Sequence, residues 1–100
     1  MPESLIVLRQ DKFFISGAMT FATVKALWKA SEQLFPKQAT WSCNFSEVTT
    51  SDSAGLALLL EWIKLAGQQK KQIQYFQVPP QMRSIAAAAG LDGLLGAVCL

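Results

Sequence analysis

The chain has 100 residues, 51% of them hydrophobic and 16% charged, with a net charge of +2. That length makes one domain with enough apolar content for a real core and a thin margin of stability, and it excludes a disordered chain. The near-neutral balance lacks the basic stripe of a nucleic-acid binder, and Lys70–Lys71, the only adjacent lysine pair, reads as a solvated helix end.

Residues 4–10, SLIVLRQ, are short and rich in β-formers, and so are residues 13–17, FFISG; with a turn at Asp11–Lys12 they predict an N-terminal hairpin. Phe21, Val24, Leu27, Trp28, Leu34 and Phe35 recur near the helical period. Thr20 or Thr23 can cap that helix and Pro36 stops it. Residues 39–45, ATWSCNF, alternate like a strand, and the polar run 46–52 reads as a loop. A second helix is expected from about Ser53 to Lys70, then a strand over 72–78. Pro80 suits the first turn of a third helix that reaches Ala89, with Gly90 just past its end. The order β-β-α-β-α-β-α calls for a single α/β domain: a mixed four-stranded sheet opened by a hairpin and covered by about three helices.

Several chemistries lose their usual residues. There is no histidine, hence neither the commonest general base nor the commonest transition-metal ligand. Cys43 and Cys99 are far apart without CxxC spacing, and no phosphate-binding loop or dinucleotide fingerprint occurs. An enzyme is therefore not expected, and no cofactor or metal is implied. The first residues lack the pattern of a secretory signal. No uncharged run reaches the length of a membrane span, and the apolar-leaning runs 53–60 and 84–91 stop at Glu61 and Asp92. Both features suggest a cytoplasmic protein that reaches a membrane only through a partner. The apolar end, LDGLLGAVCL, is expected either to fold back on the sheet or to meet that partner.

The second helix is apolar over more than one face. Leu56, Leu59, Leu60 and Ile63 form the stripe expected on the sheet. Leu58, Trp62 and Leu65 form another, which either packs under a neighbouring helix or makes an exposed partner surface with Trp62 as anchor. Trp28 and Trp41 read as core residues. An exposed Leu58–Trp62–Leu65 patch would also let the isolated domain form a homodimer. At the helix start, Asp52 or Ser53 can accept from the orphan backbone N–H groups, which also favour a bound anion.

The stretch VTTSDSAGLALLLEWIKLAGQQKKQIQYF, with Asp52-Ser53-Ala54-Gly55-Leu56 at its heart, resembles the STAS domain family over essentially the whole chain. Some members are anti-sigma factor antagonists, in which a kinase phosphorylates the serine directly before the glycine. Here that position is Ala54, which has no hydroxyl. The run DSAGLALLLEWIKLAGQQKK is more similar to the small STAS subunits of Mla phospholipid-transport systems. That resemblance implies a non-catalytic subunit bound to the ATPase of an ABC transporter, and through it to an inner-membrane permease. It implies that Ser53 is a hydroxyl residue at the ATPase contact, with Asp52, Ala54 and Leu56 at its edge. With Thr50 and Ser51 before them and the apolar Leu58 and Trp62 on the helix, these form the expected contact surface of a subunit peripheral to the inner membrane. The alternative it leaves open is a regulatory antagonist that binds an anti-sigma kinase.

Overall fold

The computed structural model describes residues 4–100. Strands β1 (Leu5–Arg9) and β2 (Lys12–Met19) form the expected antiparallel hairpin, with Arg9 opposite Lys12. Its turn is Gln10–Asp11, both with positive φ, 51° and 65°. Two such residues make the turn whose twist matches that of paired strands. Strand β3 (Thr40–Ser51) runs parallel to β2, and β4 (Gln72–Phe76) runs parallel to β3, in the order β1-β2-β3-β4.

Strand β3 is longer than its alternating stretch. The polar residues 46–51, expected as a loop, continue it: Glu47 sits opposite Ser16, Val48 opposite Gly17, and Ser51 opposite Met19. Strand β4 pairs only with residues 40–44, so this upper half has one strand neighbour. Ser46, Glu47, Thr49 and Thr50 are exposed there, which suits polar side chains, while Val48 and the threonines favour extended backbone.

Helices α1 (Val24–Leu34) and α2 (Ser53–Gln68) make the two crossovers β2–α1–β3 and β3–α2–β4. Both advance in the same direction across the sheet, and right-handed crossovers then put both helices on one face. A 3-10 turn, Phe35–Lys37, follows α1 at Pro36. Helix α3 (Pro80–Ala88) packs beside α2, and a short α4 (Asp92–Gly96) brings the helices to four where about three are expected. The apolar end does fold back: Tyr75 N–H donates to Val98 O and Leu100 N–H to Tyr75 O, each at 2.8 Å, closing the outer edge of β4.

The core lies between sheet and helices. Phe13, Ile15, Trp41, Cys43, Phe45 and Tyr75 are buried on the sheet side, with Leu56, Leu59, Trp62 and Ala66 facing them from α2. The buried face of α2 is therefore centred on Leu59, Trp62 and Ala66, rotated from the predicted stripe, whose Leu60 and Ile63 are only half-buried. Trp62 is fully buried, so the alternative of an exposed tryptophan is overturned. Its indole N–H donates to Ser31 Oγ at 2.9 Å and its ring stands 5.1 Å from that of Phe35. Leu58 is buried and Leu65 half-buried, so the patch from which a homodimer was expected is absent. On the uncovered sheet face the cations of Arg9 and Lys12 stack on Phe14 and Phe76, at 4.2 and 4.3 Å from the ring centres.

Candidate docking site at the start of the second helix

Parallel strands and their helices meet at one end of the sheet, and the Asp52–Leu56 motif sits there. Asp52 is the N-cap of α2, in extended conformation. Its Oδ1 accepts from Ala54 N–H at 2.9 Å and Gly55 N–H at 3.2 Å, satisfying two of the orphan donors of the first turn. Its Oδ2 accepts from Phe21 N–H at 3.1 Å, on the turn between β2 and α1. One carboxylate thus ties together two crossovers separated by 31 residues.

The same corner explains the glycine. A Cβ on Gly55 would lie 2.3 Å from the carbonyl oxygen of Met19, the last residue of β2. That oxygen also accepts from Asp52 N–H at 3.3 Å. The first turn of α2 therefore rests directly on the backbone of β2, and only glycine allows the approach.

The residue types expected at the contact separate sharply. Thr50 and Ser53 are exposed, and among the described residues Ser53 makes no side-chain hydrogen bond, since Asp52 alone caps the helix. Ala54 and Leu58 border a groove between α1 and α2 of about 340 Å³, lined by Val24, Lys25, Trp28, Ala57 and Glu61 besides. Ser51, Leu56 and Trp62 are buried and offer no surface, which corrects their assignment to the contact. The reason is periodicity: Leu56 and Trp62 point to the sheet, and Ser51 is the inward residue at the end of β3. Trp28, expected in the core, is half-buried along the groove wall.

One residue of this corner escapes helical periodicity. Phe21 is expected on the buried stripe of the first helix, yet α1 begins only at Val24 and Phe21 is 85% exposed. Residues 20–23 form a turn instead. Thr23, expected as a possible cap, does not cap: its Oγ1 accepts from Thr20 N–H at 2.9 Å and donates to Ala18 O at 2.8 Å. The signal available in the sequence is the Thr20-to-Thr23 spacing, since two threonines three apart can close a turn as well as open a helix.

The electrostatics of the corner belong to Asp52. The N–H of Phe21, followed by those of Gly55 and Ala54, holds its carboxyl below the usual value of 3.8, against an opposing push from partial burial. A depressed folded-state pKa adds stability that is complete above the unfolded value and is lost as pH falls through the folded one. Asparagine, ordinarily as good a cap, has one acceptor where both carboxylate oxygens are used here. Asp52→Asn is therefore expected to cost about 1–2 kcal/mol at neutral pH. Urea unfolding of both proteins should show the difference shrinking as the pH drops below 4; a constant difference would mean that the charge of Asp52 is not what holds the turn.

Burial pushes the Cys43 thiol far above its ordinary range and also raises that of Cys99, so neither is a ready nucleophile. No helix among the described residues is long and apolar enough to cross a membrane.

Comparison with known proteins agrees with this architecture. No curated protein is significantly similar in sequence. Among solved structures, the anti-sigma factor antagonist SpoIIAA in its unphosphorylated form superposes with a TM-score of 0.61 at 18% identity, covering 93% of this chain and 98% of that one. At that identity the likeness speaks for the fold. The family model described as "Mlab, STAS domain" matches residues 8–96. The capped helix start, the mixed sheet and that match together place the chain in the Mlab-type STAS domain family.

Proposed function

We propose that the protein is a non-enzymatic accessory subunit that docks on the ATPase of an Mla-type phospholipid ABC transporter and supports its assembly and activity. In this reading it sits on the cytoplasmic side of the inner membrane, held there by the ATPase and its permease, within a system that maintains outer-membrane lipid asymmetry. The observation that carries it is the division of labour at the helix start. Asp52 completes the cap alone, which leaves the Ser53 hydroxyl exposed and open to a partner's hydrogen bond, beside the small side chain of Ala54. Thr50, Ser53, Ala54 and Leu58 are the members of the expected contact that the fold leaves at or near this surface.

The fold shared with an anti-sigma factor antagonist keeps a second reading in view, a regulatory domain bound to an anti-sigma kinase. Ala54 disfavours it, because the position before the glycine cannot be phosphorylated. Pull-down with tagged protein from detergent-solubilised membranes of the source cell separates the two. Wild type is expected to recover an ABC ATPase with its permease, and Ser53→Glu to lose both, since a charge without a partner in a desolvated contact is costly. Recovery of a soluble kinase instead of a transporter would establish the second reading. Undiminished recovery by Ser53→Glu would remove Ser53 from the contact.

A further inference from the structure

Phe21 has no packing role that explains it. It is the most exposed of the large hydrophobic residues, on a turn that Asp52 fixes through the Phe21 N–H. Two features bring it to the proposed docking corner. Asp52 is also the cap of α2, and Phe21 leads within three or four residues into Val24 and Lys25, which line the groove between α1 and α2. The groove exists because α2 presents small residues, Ala54 and Ala57, towards α1, so the two helices leave a cleft that Trp28 does not fill. An exposed aromatic next to an open apolar cleft is the composition of an interface hot spot: a rigid anchor beside a pocket for a partner's side chain.

The charges of the walls describe the occupant. Lys25 lies on the α1 side and Glu61 on the α2 side, and neither forms an ion pair among the described residues. A segment of a single charge sign would be repelled by one wall. A segment with an acidic residue towards Lys25, a basic one towards Glu61 and a large apolar side chain between them would satisfy both. We propose that Phe21 and this groove bind one amphipathic helix of the ATPase partner, with Phe21 as the anchor and the groove taking that apolar side chain. The proposal rests on the docking reading above and adds to it a residue outside the Asp52–Leu56 motif and the chemistry of the partner's segment. In helix-in-groove recognition an amphipathic helix lays its apolar face into a hydrophobic groove, and its flanking polar positions are then free to meet Lys25 and Glu61.

Two variants test it in direct titration against the purified Mla-type ATPase of the same organism. Phe21→Ala removes the anchor and leaves its backbone N–H on Asp52. Ala57→Trp, at an exposed helix position, fills the groove. Each is expected to weaken binding at least about tenfold, with the melting temperature of Phe21→Ala unchanged because its ring supports nothing in the folded chain. Wild-type affinity in both variants overturns this surface while leaving docking through Ser53 in place. Failure of the wild type itself to bind the ATPase overturns the docking reading, and this proposal with it.

Discussion

Gly55→Ala is expected to destabilise the protein by about 3 kcal/mol or more, although alanine is the better helix former by roughly 1 kcal/mol. The sign is decided by what the new methyl meets. At 2.3 Å the Met19 carbonyl oxygen lies well inside contact distance, and it is backbone rather than the end of a flexible side chain. Relief requires the first turn of α2 to lift from β2, which also strains the Asp52 N–H bond to that oxygen and the carboxylate link to Phe21. Gly67→Ala is the matched control in the same helix. Nothing lies within 4 Å of the added atom, so it should stabilise by about 0.5–1 kcal/mol. Urea midpoints of the two variants should move in opposite directions. A Gly55→Ala protein as stable as wild type would show that the first turn of α2 does not rest on the backbone of β2 at this corner.

Much of the fold was readable because its elements are locally consistent. The hairpin follows from two β-rich runs around a two-residue turn, and the alternation of helix and strand after it leaves little choice but parallel pairing with both helices on one face. Boundaries failed where tertiary pairing overrides local composition. Residues 46–51 look like a loop because they are polar, yet β2 offers them a register, and Ser46, Glu47, Thr49 and Thr50 face solvent. The short α4 and the edge pairing of Val98 and Leu100 with Tyr75 are contacts across the chain that no local pattern carries.

The site was half legible. The sequence motif locates the corner, and Asp52 caps as its position demands. What a motif cannot convey is which of its residues remain outside. Ser51 and Leu56 lie within or beside it and are buried, whereas Phe21 is distant in sequence and exposed. Helical periodicity assigned Phe21 to a stripe because periodicity cannot see that residues 20–23 are held as a turn by Thr23. The same limit misplaced Trp62. Leu58 and Glu61 line the groove between α1 and α2, whereas Trp62 is fully buried and hydrogen-bonded to Ser31 of α1.

Trp62→Ala is accordingly expected to act on stability, at about 3–5 kcal/mol. Phe35 stands at the centre of an aromatic group with Phe13, Trp41 and Trp62, its ring centre 4.4, 5.1 and 5.1 Å from theirs. Removing the indole opens a cavity that rigid neighbouring rings cannot close. Against the total stability of about 5–15 kcal/mol usual for a domain, that loss removes from about a fifth to all of the margin. The polar part of the interaction can be separated from the packing. Ser31 Oγ accepts from the indole and donates to Trp28 O at 2.6 Å. Ser31→Ala leaves the indole N–H buried without a partner and should cost about 1–3 kcal/mol. Trp62→Phe keeps an aromatic ring and removes that donor, while the Ser31 hydroxyl retains Trp28 O. A double-mutant cycle on Ser31→Ala and Trp62→Phe should therefore show the two changes to be less costly together than their sum. Strict additivity would mean that the hydrogen bond contributes nothing. If Trp62→Ala instead kept wild-type stability and lost only partner binding, the tryptophan would be a surface anchor, and the burial that distinguishes it from Phe21 would be wrong.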